Sequence, residues 1–191
     1  MARPNVREQI VEAGMKSLIE KGFNGVGVQE ITDLAGVPKG SFYNHFDSKE
    51  ALGAEIVERY GKRSTRRAVL GDKAVAPMER LTRHFTALND AFVASEFQRG
   101  CLLGNFSAEL ANQSPLIRES LRGLFAQWTD DLRIAIADAQ ADGAITSEAP
   151  AEELAAFVLD AYEGALLRAR VERDRRAFDR FMRLVFTRIL V

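Results

Sequence analysis

Apolar residues recur along this chain at steps of three and four, the spacing that places them on one face of an α-helix. Val6, Ile10, Val11, Ala13, Met15, Leu18 and Ile19 form the first run, and Lys21-Gly22 closes it with a basic last turn and a glycine stop. Asp47-Ser48-Lys49-Glu50 offers a cap and an acidic first turn, which predicts a long helix over 48–70. Ser114 before Pro115 opens another helix, carrying Leu121, Leu124, Phe125, Trp128, Leu132 and Ile136 to a stop near Gly143. Segments 77–96, 102–112, 151–169 and 174–190 keep the same period, and no stretch alternates convincingly in the manner of a strand. Pro4, Pro38, Pro77, Pro115 and Pro150 each stand before or at the start of such a segment, where proline is tolerated. The pattern predicts an all-α protein of about nine helices, without internal repeats.

One stretch breaks the regular spacing. Residues 28–46 read VQEITDLAGVPKGSFYNHF. A helix over Val28–Ala35 is expected to bury Ile31, Leu34 and Ala35. Gly36 can take the left-handed conformation that ends it, and Val37 plugs the corner. Pro38 starts a second short helix with Phe42 and Phe46 on its inner face. Helix, glycine turn and second helix make a helix-turn-helix within a three-helix head. The second helix turns Lys39, Ser41, Tyr43, Asn44 and His45 outward, with Gly40 leaving room for close approach. One cation among hydrogen-bonding and aromatic groups suits the floor of a DNA major groove. Lys49, at the start of the next helix, is placed to hold a phosphate. A small helical cap with a polar surface fits the same pattern. Charge does not separate the two, since residues 1–49 hold six Lys/Arg and six Asp/Glu.

Composition narrows the classes. At 191 residues, 47% hydrophobic and 28% charged, the chain can bury a real core. The formal net charge of −1 does not announce a nucleic-acid partner, so that case rests on local features. A single cysteine excludes an intramolecular disulfide and any multi-cysteine metal site, and points to a reducing compartment. The N-terminus lacks the apolar core of a signal peptide, and no stretch reaches a membrane span. No paired acid and base, nucleophile motif or phosphate-binding glycine loop is present. We therefore expect no enzyme, no catalytic residues, no cofactor, no metal and no membrane partner. His84 stands on a polar-flanked helix and is expected at the surface or at a pocket rim.

The stretch GVGVQEITDLAGVPKGSFYNHFDSKEAL closely resembles the DNA-binding signature of TetR-family transcriptional regulators. The resemblance lies in Ala-Gly-Val at 35–37, Lys39-Gly40, the aromatic SFYNHF and SKEAL at 48–52. It covers about 45 residues, and the helical layout extends it across the chain. It implies a cytoplasmic homodimer with two heads on a partly palindromic double-stranded DNA operator. It also implies repression relieved by a small-molecule inducer bound in the C-terminal domain. Residues 1–47 would form the DNA-binding domain and 48–191 the ligand-binding and dimerisation domain, with 48–70 as the linker helix. On the family pattern Lys39, Gly40, Tyr43, Asn44, His45 and Lys49 contact DNA, most of them through phosphates. Ser41 shares their face. Val28 completes the set, but supplies no hydroxyl where relatives often carry one.

The linker helix turns Leu52, Ile56 and Val57 toward the head, and its end, KRSTRR, holds Lys62, Arg63, Arg66 and Arg67. Apolar stripes on the last two helices (Leu154, Phe157, Val158, Ala161, Ala165, Leu166; then Phe178, Phe181, Met182, Val185, Phe186, Ile189) suit a four-helix contact between two copies.

Cys101 heads the helix that starts at Leu102. A helix N-terminus and nearby Arg99 favour a thiolate, whereas burial against Leu102, Leu103 and Phe106 opposes it. Both a core filler and a reactive sensor fit. The segment RGCLLGNFSAELA is similar to that of TetR members responding to electrophiles such as N-ethylmaleimide and quinones, or to acrylate. There the cysteine is the electrophile sensor, assisted by a lysine where this chain has Arg170. Arginine keeps the charge but cannot form the same nitrogen–sulfur adduct. Phe106, Trp128 and Tyr162 join Cys101 and Arg170 as candidate sensor residues. Asn105 and Glu109 are expected either to bind a ligand or to satisfy a neighbour.

Overall fold

The computed structural model describes residues 5–62, 65–98 and 100–191, and among them every regular element is helical. In chain order they are α1 (Val6–Lys21), α2 (Val28–Ala35), α3 (Lys39–Tyr43), α4 (Lys49–Lys62), α5 (Thr65–Ala68), α6 (Pro77–Ala94), α7 (Leu102–Leu110), α8 (Pro115–Ala141), α9 (Ala151–Glu172) and α10 (Arg176–Leu184). A 3₁₀ turn, Val69–Gly71, follows α5, and a π turn, Val185–Ile189, follows α10. The all-α expectation holds. The long helix expected over 48–70 is described as α4 and α5, and Arg63 lies outside the described residues. The helix expected over 174–190 widens into the π turn for its last residues.

The chain forms two units. Residues 1–63 group with 101–124, and residues 64–100 with 125–191. In the first unit Asn5 caps α1 by accepting the Arg7 N–H at 3.1 Å. Ile10, Val11, Leu18, Ile31, Phe42, Leu52, Ile56 and Val57 are fully buried, so the apolar period of α1 and α4 reads directly as core. Arg59 ties α4 to α1, reaching Glu8 at 2.6 Å and Glu55 at 2.8 Å, and Glu55 also pairs with Arg7. Leu34, expected inside, is 48% exposed, whereas Thr32 is buried. The α2 face turned to the core keeps Ile31 but takes in Thr32 in place of Leu34, and Thr32 can be buried because its hydroxyl donates to the Val28 and Gln29 carbonyls.

The second unit is built on aromatic rings. Tyr162 stacks on Phe178 at 6.1 Å and meets Phe85 and Phe181 edge-on or tilted at 5.1 and 5.3 Å. His84 is fully buried, contrary to the surface position expected. The Trp128 indole N–H donates to its Nε2 at 3.0 Å, and this bond removes the cost of taking a polar ring into the core. Arg80 is also buried, donating to the Leu70 carbonyl at 2.9 Å and to Asp138 at 2.6 Å. Among the described residues no helix is long and apolar enough to cross a membrane, and no group of residues suited to holding a metal ion occurs.

Candidate functional site

The corner between α2 and α3 is set by one glycine. Gly36 has φ 69° and ψ 31°, a conformation that a Cβ would strain. Its N–H bonds to the Asp33 carbonyl at 3.1 Å, and the Val37 N–H bonds to that of Thr32 at 3.0 Å. These close the end of α2 and redirect the chain. Pro38, with φ −61°, then starts the five-residue α3.

Two rings anchor α3 from below. Phe42 and Phe46 are buried with centroids 5.6 Å apart, and the Arg7 guanidinium lies 5.0 Å from the Phe46 ring. With these two fixed inward, Lys39, Gly40, Tyr43, Asn44 and His45 are exposed, and Ser41 and Val28 are half-buried. Tyr43 is 57% exposed and rests edge-on against Phe42 at 5.2 Å, so the ring is held while its hydroxyl stays outside. A Cβ at Gly40 would meet nothing within 4 Å, which leaves the backbone open to approach. The exposed face of α3 and of the two residues after it thus carries donors, acceptors and one cation.

Lys49 does not join that face. Its Nζ donates to the Phe23 carbonyl at 3.0 Å and the Val26 carbonyl at 2.9 Å, and sits 4.0 Å from the Phe23 ring centroid. Two of its three N–H donors are thus spent on the turn between α1 and α2. Burial pushes its ammonium below the usual lysine value, against the opposing pull of Glu50 and Glu109.

The candidate sensor residues divide between the units. Cys101 and Phe106 belong to the first, and Trp128, Tyr162 and Arg170 to the second. Cys101 is 6% exposed and is the N-cap residue of α7. Phe106 is fully buried and packs edge-on against Phe23 at 5.6 Å, so its ring is engaged with the head. Trp128 and Tyr162 lie 6.4 Å apart in the aromatic cluster, and Arg170 is half-buried on α9. The Trp128 N–H is given to His84. Arg99 lies outside the described residues.

Glu109 is, with Asn105, a residue whose role the sequence left open. It reaches the head, accepting the Phe23 N–H at 3.2 Å and the Asn24 N–H at 2.7 Å. Its partners are 86 and 85 residues away in the chain, beyond the range of any local pattern.

Residues 10–56 match the family described as bacterial regulatory proteins, tetR family. Residues 77–185 match the tetracyclin repressor-like C-terminal domain. The chain is 38% identical to the HTH-type transcriptional repressor DhaR of a Mycobacterium species, over all of this chain and 95% of that protein. It is 36% identical to the transcriptional regulator AcuR of Cereibacter sphaeroides, over 86% of this chain and 76% of the relative. A crystal structure of a regulatory protein TetR from Rhodobacter sphaeroides superposes with a TM-score of 0.86 at 31% identity, covering 94% of this chain and 96% of the other. The chain belongs to the TetR family of transcriptional regulators.

Proposed function

We propose that this protein is a cytoplasmic, homodimeric repressor whose α3 face reads a palindromic operator and which an inducer releases from DNA. Residues 1–47 supply the DNA-binding domain, and 48–191 supply inducer binding and dimerisation. The observation that carries the reading is the α3 surface: five exposed residues capable of base and phosphate contacts, seated on two buried phenylalanines. Lys39, Tyr43, Asn44 and His45 contact DNA, with Ser41 and Val28 at the margin. The protein binds and releases, and does not catalyse.

Dimerisation falls to α9 and α10. They border a groove of about 300 Å³ lined by Phe157, Ala161, Ala165, Phe181 and Leu184, and Phe157 and Leu184 are exposed. Exposed large apolar groups beside a groove mark an interaction surface.

For the inducer, the resemblance around Cys101 supports a thiol-reactive electrophile. The burial of Cys101 supports the other reading, a non-covalent effector with the thiol as lining or filler. One experiment separates them. Fluorescence anisotropy follows labelled DNA from upstream of the gene, with wild type and Cys101→Ser, before and after N-ethylmaleimide. A covalent sensor predicts that both bind and only wild type releases. Equal behaviour of the two after treatment sinks the thiol switch. Absence of saltable, sequence-specific binding by wild type sinks the repressor reading itself.

A further inference from the structure

We propose that Glu109 is a positioning residue for operator binding: through it, α7 fixes the turn that aims α2 and α3. This rests on the reading of α3 as the operator face. The turn, residues 22–27, is gripped from two sides. Glu109 takes its N–H groups at Phe23 and Asn24 with one carboxylate oxygen each. Lys49 takes its carbonyls at Phe23 and Val26. A carboxylate and an ammonium thus satisfy opposite poles of one backbone segment with charge-assisted bonds.

The surrounding residues are shaped to this contact. Gly22 has φ +77°, and a Cβ there would lie 2.4 Å from Glu109 Oε1. Phe106, one turn before Glu109 on α7, presses the Phe23 ring from the same helix face. The N-cap of α2 is Gly27, which has no side chain to cap the helix. The start of α2 therefore takes its direction from the turn, and α3 follows through the corner at Gly36.

At its other end α7 begins directly after Cys101, with Leu102 and Leu103 buried. Nine residues of helix span about 14 Å and shift as one body. A displacement at the cysteine end reaches the head through Glu109.

The test compares two duplexes, the full palindrome and a single half-site, using full-length wild type, Glu109→Ala and Glu109→Gln. If Glu109 aims α2 and α3 within each head, Glu109→Ala binds the half-site on the order of tenfold more weakly, and the palindrome more weakly still, with helix content and the dimer unchanged. Glu109→Gln, which keeps one acceptor oxygen, falls between. Half-site affinity unchanged in Glu109→Ala overturns the proposal, whether or not the palindrome is affected. Loss of helix or of the dimer in both variants also overturns it, since the contact is then only part of the fold. Wild type that fails on the palindrome refutes the operator reading, a result distinct from wild type binding and Glu109→Ala matching it.

Discussion

Tyr43 and Lys49 stand six positions apart, and the sequence pattern gave them the same task. Their surroundings separate them. Tyr43 is 57% exposed and touches the head only through the edge of Phe42, so removing its ring leaves the core intact. Tyr43→Ala is expected to cost about 1–3 kcal/mol of operator binding, with stability changed by no more than about 0.5 kcal/mol. Lys49 holds two carbonyls and lies over the Phe23 ring. Lys49→Ala leaves those carbonyls to find other partners and is expected to lower head stability by about 1–3 kcal/mol. Anisotropy titrations beside urea denaturation of each variant give both numbers. If Lys49→Ala weakens DNA binding at unchanged stability, the phosphate role holds and the packing role fails. A sequence motif places a lysine in line with a DNA-binding pattern. Which way its ammonium turns depends on the Phe23–Val26 carbonyls behind it, and those are set by folding.

At the scale of elements, the second unit ties α6 to α8 with polar contacts that no periodicity announces. Asp138 on α8 meets Lys73 at 2.5 Å and the buried Arg80 of α6 at 2.6 Å. Hydrogen bonds first from Lys73 and then from Arg80 hold its carboxyl below the ordinary carboxylate value. A depressed folded pKa means the stabilisation is complete above the unfolded value, about pH 4, and is lost as pH falls below it. Urea midpoints taken from pH 7 to pH 3 are expected to drop in wild type below about pH 4. In Asp138→Asn that drop shrinks, and stability at pH 7 is lower by about 3 kcal/mol because Arg80 stays buried without its anion. An unchanged acid slope in the variant would remove Asp138 from the account. The contrast shows what the sequence could carry. Helix positions, the glycine corner at 36 and the buried pair Phe42 and Phe46 follow from local spacing, and they were legible. His84 with Trp128, Arg80 with Asp138 and Glu109 with the head are separated by 44, 58 and about 86 residues. Their roles exist only once helices pack, so His84 was expected at a surface and Glu109 was left open.

For the whole molecule, a palindromic operator needs two heads, so affinity depends on a surface far in sequence from α3. On α9, Phe157, Ala161 and Ala165 recur at four-residue steps along the groove shared with α10. Phe157 is 51% exposed in the single chain, more surface than a buried core ring would show. A second copy laying the same face against it is the two-fold solution, since an isologous interface repeats one patch on both partners. Phe157→Glu places a charge at that contact without disturbing the aromatic cluster around Tyr162, from which it is absent. The expected outcome is a folded monomer by sedimentation, with far-ultraviolet circular dichroism unchanged. Its binding to the full palindrome should fall to the level wild type shows on one half-site. Because half the phosphates are then neutralised, the slope of log affinity against log salt should fall to roughly half. A variant that still sediments as a dimer moves the interface away from Phe157. One that is monomeric yet keeps wild-type affinity and slope would show that a single head suffices, and the paired-head mechanism would fall with it.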